Sequence, residues 1–449
     1  MKTVKIFGLI VLLVALAGLW IIGCTGEGAY DTQPQPTGSV SPTVSPTPTP
    51  TSTSTVTPTP TGSPTPGAET LKQLVSNRAN VFDIKIVGGY LYWVEQTSTP
   101  SGGVFRIKSD GSGDIETIIT GLNNPSALGF TTGDDGNTYM FVGSSEGSTG
   151  AVIRRVNVSN SSFPAVTLTT GASGTIPYMV VSGTIYFTRN AGSGGSTLSM
   201  VDAFPNATPT TAEDIGTSLT NAFDVKVFSN TMPGSTSRTF ALVTERMSSG
   251  RVLIYDITNT SVLPITPVVV SSSNQKPTRV TFQPDYESDN TTPVTPMAGY
   301  VYWTNYDGSS GQVCRQKIKW DTTANAVVLD GTKQIVAQAL KFPYDIKVPN
   351  DMCSGSLKGT LKKLLVSSNI SEANAGNWYV IDVSNSNNFP LNPSSSQITD
   401  MSSTPMAYPL NGIVTYTSSQ LTNYFSSFND ATGGNNDGTI YYYRHKFTN

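Results

Sequence analysis

The sequence predicts an all-β fold, a seven-bladed β-propeller, on three observations. A short pattern recurs seven times between residue 79 and the C-terminus: an apolar run, a Gly/Ser-rich loop, a second alternating run and a polar turn. The repeat is about 45–65 residues long with several strands in each copy, the period of a propeller blade. Only 13% of the 449 residues are charged, while 41 are Gly and 29 are Pro, which suits short strands joined by many turns. Six or eight blades are the alternative counts.

Each copy reads as three strands and an outer fourth. The innermost strand is clearest in Phe82-Asp83-Ile84-Lys85, Phe223-Asp224-Val225-Lys226 and Tyr344-Asp345-Ile346-Lys347. The second strand is read in Tyr92-Trp93-Val94-Glu95, Met140-Phe141-Val142-Gly143, Tyr186-Phe187-Thr188-Arg189 and Leu242-Val243-Thr244-Glu245. Tyr302-Trp303-Thr304-Asn305, Leu365-Val366-Ser367-Ser368 and Val414-Thr415-Tyr416-Thr417 continue the series. A third strand starts near Val104, Val152, Leu198, Val252, Val313, Trp378 and Ile440. The fourth shows in Glu116–Ile119 and Lys333–Val336.

The last copy runs out of chain after its third strand. Leu71–Ser76 resembles the segment that begins at Lys333, so the N-terminal strand is expected to complete the seventh blade. Such closure removes two open sheet edges. It places the domain at 69–449.

Ahead of that domain, Lys2 and Lys5 precede an apolar stretch, Ile6–Ile22, which ends in Ile21-Ile22-Gly23-Cys24. This resembles the lipobox of prokaryotic lipoproteins, although Ile21 stands where that family often has Leu. The resemblance implies a signal peptide over 1–23 and a diacylglycerol on the Cys24 thiol. An uncleaved anchor is the rival reading, since about 17 apolar residues is near the shortest span. Either way the rest of the chain is expected outside the cytoplasm, on the cell surface or the periplasmic face. Residues 24–68 hold a Pro/Thr/Ser tract that reads as a disordered tether. In polyproline II form, at about 3.1 Å per residue, it would reach on the order of 100 Å.

The second-strand residues Tyr92-Trp93-Val94-Glu95 and Tyr302-Trp303-Thr304-Asn305 resemble the Tyr-Trp-Thr-Asp repeats of low-density-lipoprotein-receptor propellers. Ile107–Ser112 and Leu122-Asn123-Asn124-Pro125 share that likeness. It implies a propeller that binds proteins or other ligands, with no catalytic set to carry over. That family closes with six blades, where seven are counted here.

Net charge is −3, from 27 basic and 30 acidic residues, with no basic stripe, so no nucleic-acid partner is expected. His445 is the one histidine of the chain and is read as a packing or surface residue of the last strand. Its isolation removes most proton-transfer chemistry near neutral pH and many metal sites. No Cys-x-x-Cys-His and no Gly-x-x-x-x-Gly-Lys-Ser/Thr nucleotide-binding loop occurs. No cofactor and no metal are expected, and the domain reads as a monomer.

Loops joining second to third strands share one face of a propeller, and the longest is read at 418–438. Its Tyr424, Phe425 and Phe428 are candidate contacts for a partner or a sugar ring. Glu95, Arg189, Glu245 and Asn305 end second strands on the same face and are candidate polar contacts. Asp83, Asp224 and Asp345, each two residues before a lysine, share a strand face with it. They read as inter-blade pairs or, more sharply, as a carboxylate ring near the axis. Cys314 and Cys353 form a possible disulfide. The leading expectation is a lipid-anchored, non-enzymatic module that binds or scaffolds proteins or glycans. The alternative is a propeller enzyme, lyase- or lactonase-like, acting on sugars or small esters.

Overall fold

The computed structural model describes residues 72–446, apart from 98–100, 147–149, 173, 192–194, 207, 235, 309, 369–376, 401–408, 417–419 and 428–437. The expected signal peptide, Cys24, the tether and Phe428 lie outside the described residues. Among the described residues, no helix is long and apolar enough to cross a membrane.

The fold is all-β, built from antiparallel sheets of four strands in the propeller manner. The first strand, β1 (Lys72–Arg78), belongs to the last sheet. The first sheet holds β2 (Val81–Val87), β3 (Tyr90–Glu95), β4 (Gly102–Lys108) and β5 (Glu116–Leu122). The second holds β6 (Ala127–Thr132), β7 (Thr138–Ser145), β8 (Ala151–Asn157) and β9 (Ala165–Ala172). In the third are β10 (Met179–Ser182), β11 (Thr184–Arg189), β12 (Ser196–Asp202) and β13 (Glu213–Leu219). The fourth comprises β14 (Ala222–Thr231), β15 (Ser237–Glu245), β16 (Ser248–Asp256) and β17 (Val268–Gln275).

The fifth sheet has β18 (Pro277–Pro284), β19 (Ala298–Asn305) and β20 (Gly311–Asp321). Its outer position is shared by β21 (Ala326–Leu329) and β22 (Gln334–Leu340), both paired to β20. The sixth sheet contains β23 (Pro343–Lys347), β24 (Lys363–Ser368), β25 (Asn377–Asp382) and β26 (Ile398–Asp400). The last contains β27 (Pro409–Tyr416), β28 (Gln420–Ser427) and β29 (Gly438–Lys446), with β1 outermost. Val75 sits opposite Ile440 in the β1–β29 pair. First strands touch one another in chain order, and β27 touches β2.

Burial explains why the apolar run is continuous in inner strands and broken in outer ones. The second strand β3 is buried at five of its six positions because neighbouring sheets cover both its faces. Trp93 in β3 and Trp303 in the second strand β19 are wholly buried. In the outer strand β5 only Ile118 and Leu122 are buried, and its other positions are half-buried or exposed.

A recurring polar clasp joins the sheets. Thr188, Thr244 and Thr304, each third in its second-strand motif, donate a hydroxyl to the next sheet's first strand. The acceptors are the carbonyls of Phe223 at 2.7 Å, Thr278 at 3.0 Å and Tyr344 at 2.7 Å. Thr244 and Thr304 also accept from the amides of Asp224 and Arg279 in their own sheets, at 3.1 and 3.2 Å. Those amides are free to do so because the register shifts between Ala222 and Val225 and between Pro277 and Val280.

The glycine that opens several third strands has a packing cause. A Cβ on Gly311 would lie 2.2 Å from Cδ of Pro343, which begins the next sheet. Gly102 with Pro125 and Gly250 with Pro277 repeat the arrangement.

Candidate functional site

The innermost strands line one axial well, a cavity of about 440 Å³. Its floor is a charged layer. Asp83, Asp224 and Asp345 hold the same place on β2, β14 and β23, where each strand's register shifts. Each carboxylate accepts from a backbone amide of the following sheet: Leu128 at 3.1 Å, Val280 at 2.9 Å and Gly412 at 3.1 Å. The carboxylates therefore staple neighbouring sheets, as the inter-blade reading expected, and do not form an open ring of ligands.

Arg279 occupies the equivalent place on β18. Its guanidinium pairs with Asp224 at 3.1 Å and Asp345 at 3.3 Å, and stacks 3.9 Å from the Tyr178 ring centre. Burial works against its charge, but the two carboxylates and the Tyr178 phenol outweigh burial and raise its pKa well above the usual value. Burial pushes Asp224 toward protonation, more than Arg279 pulls it back. Burial pushes Asp345 the same way, yet Lys347 and Arg279 together hold it below the ordinary carboxylate range.

Beneath this layer the axis is filled by aromatic side chains. The Tyr178 and Tyr344 hydroxyls are hydrogen-bonded at 2.9 Å, and burial pushes Tyr344 up to about 12. Phe82, Phe223 and Tyr306 pack with them, and Arg246 stacks on Phe223 and Tyr306 at 4.8 Å from each ring centre. Exposure rises in the other direction. The Lys85 side chain is 38% exposed and that of Lys226 35%, so the well opens where first strands turn into second strands. This is the opposite face from the one expected to carry function.

Three lysines stand above the floor. Lys85 pairs with Asp83 at 3.0 Å and Lys347 with Asp345 at 3.0 Å. Lys226 instead pairs at 2.6 Å with Asp351, a residue of the segment between β23 and β24. Burial alone would depress Lys226 and raise Asp351, and their mutual attraction reverses both directions. Ile84, Ile86, Val87, Phe130 and Val181 give the wall apolar surface, the mixture usual in small-molecule sites.

The expected polar contacts do not converge on this well. Glu95 accepts from Trp93 Nε1 at 2.9 Å and forms an ion pair with Arg78. Arg189 pairs with Asp214 at 3.0 Å, and Glu245 with Arg251 at 2.6 Å. Asn305 lies buried beside Gln312 and Cys314. Arg189, Glu245 and Asn305 are engaged within their own sheets, and Glu95 is engaged with Trp93 of its own sheet and with Arg78 at the end of β1.

The reading of 418–438 as one long loop is corrected. Gln420–Ser427 is the strand β28, and Pro409–Tyr416 is the first strand of that sheet, not the second. Tyr424 therefore sits in a strand with its ring centre 4.9 Å from that of Tyr442, and Phe425 is in register with Tyr441. The true second-strand motif is Tyr424-Phe425-Ser426-Ser427, with Ser426 wholly buried at the threonine position. Cys314 and Cys353 are both buried free thiols, so the disulfide is not formed. Among the described residues, no group of three or more His, Cys, Asp or Glu is placed to hold a metal ion.

Sequence reasoning missed Arg279 and Asp351. Arg279 had a signal: Pro277-Thr278-Arg279-Val280 aligns with Pro343-Tyr344-Asp345-Ile346, charge reversed. Asp351 had none, since its partners lie 125 and 70 residues away.

No family model and no curated protein matches the chain. Among solved structures it is similar to a puromycin hydrolase, at 11% identity and TM-score 0.44 over 79% of this chain and 51% of that one. It therefore spans about half the length of that enzyme. A structure titled YCF48 bound to D1 peptide matches at 9% identity and TM-score 0.46, over 84% of this chain and 94% of that one. A puromycin-hydrolyzing peptidase of Mycobacterium tuberculosis matches at 9% identity and TM-score 0.45, over 82% and 55%. The expectation of a non-enzymatic binding or scaffold module is not supported by these likenesses, two of which are to enzymes. At such identities the likeness concerns the fold, and no substrate passes from it to this chain.

Proposed function

We propose that the chain is a seven-bladed propeller closed by β1, and that its axial well turns over a small, polar, anion-bearing molecule. The substrate class is a sugar acid or small ester, and the chemistry lyase- or lactonase-like. The observation that carries this reading is the trio Lys85, Lys226 and Lys347 above the buried Arg279 floor, in a cavity of about 440 Å³. First strands that touch in chain order, last to first, support the ring.

In an elimination or a lactone opening, negative charge develops on a carboxylate or carbonyl oxygen. A fixed ammonium group in a partly dehydrated well stabilises that charge without reorganising. Lys226 and Lys347 are assigned this role. Asp83, the floor carboxylate paired with Lys85, is assigned the role of proton acceptor. The test is a panel of uronic acids and aldarolactones, which keep a carboxylate beside the lactone, read by product formation with the wild type and Lys347→Met. Turnover that Lys347→Met abolishes supports the reading. No conversion and no melting shift across the panel sinks it.

The same proposal includes export and a lipid anchor at Cys24. Radiolabelled fatty acid should enter the wild-type chain and not Cys24→Ser. Equal labelling would remove the anchor.

A further inference from the structure

The segment between β23 and β24 contains two short helices, α1 (Pro349–Met352) and α2 (Leu357–Thr360). It leans on the fifth sheet through Asn350 N to Gln283 Oε1 at 2.9 Å and Gln283 Nε2 to the Lys358 carbonyl at 3.0 Å. From it the Asp351 carboxylate enters the well. Lys226 Nζ donates to one oxygen at 2.6 Å. Thr281 Oγ1 donates to the other at 2.8 Å, with the Val348 amide at 3.4 Å. Three chain segments thus converge donors on a single carboxylate, whose side chain is only 11% exposed.

Lys226 differs from its two counterparts in where its counter-ion comes from. Lys85 and Lys347 pair with the aspartate two residues earlier on the same strand. For Lys226 that aspartate is Asp224, which is turned to Arg279 and the Val280 amide. The donors Lys226 and Thr281 belong to β14 and β18, each held in a ladder to the second strand of its sheet. The acceptor sits on a segment of two four-residue helices outside the strand ladders.

We infer that Lys226 and Thr281 form the carboxylate subsite of the well and that Asp351 is its resident occupant. A substrate carboxylate binds there by displacing Asp351 and releasing the 349–361 segment. The inference rests on the reading of the well as a site for small anion-bearing molecules. It also assigns Asp351 a specificity role: a neutral ligand has nothing with which to replace it. Apparent affinity is then reduced by the fraction of molecules in which Asp351 is seated.

The experiment is hydrogen exchange by mass spectrometry on the full chain, with D-glucuronate and D-glucose as probes, alongside calorimetric titration of wild type and Asp351→Asn. Glucuronate is expected to speed exchange across 349–361 in the wild type, and glucose to leave it unchanged. Asp351→Asn is expected to exchange fast there without ligand, to keep wild-type protection in the strands, and to bind glucuronate about tenfold more tightly. Glucuronate binding with 349–361 still protected overturns the displacement and leaves the well reading intact. Affinity in Asp351→Asn equal to or weaker than wild type overturns it likewise. Failure of both proteins to bind glucuronate removes the well reading and this inference together.

Discussion

The Thr304 hydroxyl donates to the Tyr344 carbonyl across 2.7 Å, from the second strand of one sheet to the first strand of the next. The same oxygen accepts from the Arg279 amide in its own sheet. One side chain therefore satisfies two backbone groups in different sheets, both removed from water. Thr304→Val keeps the shape and removes both bonds. It is expected to destabilise the domain by about 1–3 kcal/mol, the range for leaving buried polar groups unmade. Denaturant unfolding checks this, and a midpoint within error of wild type would show that the clasp is dispensable.

Arg279 neutralises two buried carboxylates at once. Arg279→Met leaves Asp224 and Asp345 without that cation and is expected to cost about 3–5 kcal/mol, because breaking a buried pair strands a charge. The loss should shrink in acid, where the carboxylates take up protons. A loss that is flat with pH would mean that the pairing is not its cause.

Asp345 shows the sign of the pH effect. Its folded pKa is depressed, so its contribution is fully present above the unfolded value of about 3.9 and disappears as pH falls through the lower folded value. Wild type and Asp345→Asn should therefore differ most in stability near neutrality and converge below about pH 3.9. A gap that widens in acid contradicts the assignment.

β1 covers the outer edge of β29. Deleting residues 1–78 exposes that row of unpaired backbone groups, a template for intermolecular pairing. The truncated chain is expected to associate, read by light scattering during gel filtration. A stable monomer would count against closure by β1.

Cys314 and Cys353 are buried, and burial pushes their thiols up to about 12 and about 11. Since the thiolate is the reactive form, both should resist alkylation in the native protein and react on unfolding. Rapid labelling of either peptide at neutral pH would show that the site is open.

Much of the fold was readable because each sheet repeats the same physical problem. A second strand buried on both faces needs large apolar residues, then a hydroxyl at the clasp, hence Tyr-Trp-Thr and its variants. The seventh sheet was misread for a related reason. Val414-Thr415-Tyr416-Thr417 mimics the apolar run followed by threonine, while Tyr424-Phe425-Ser426-Ser427 hides the hydroxyl as serine. The charged layer was half visible: Asp83, Asp224 and Asp345 announced themselves by spacing, and Arg279 was overlooked because it breaks that repeat.

The sequence by itself determined the all-β architecture, the strand that returns from the N-terminus to β29, and the alternation of Asp and Lys on first strands. The architecture and the alternation are local, since burial and turn chemistry act within a few residues, and the returning strand is legible because Leu71–Ser76 resembles the segment that begins at Lys333. Only the tertiary structure decided which end of the axis is open and which carboxylate each lysine holds. It also decided that the four charged or polar residues ending second strands are engaged apart from the well. Such pairings join residues up to 166 positions apart, as for Tyr178 and Tyr344, and no spacing along the chain records which side chains meet at a common axis.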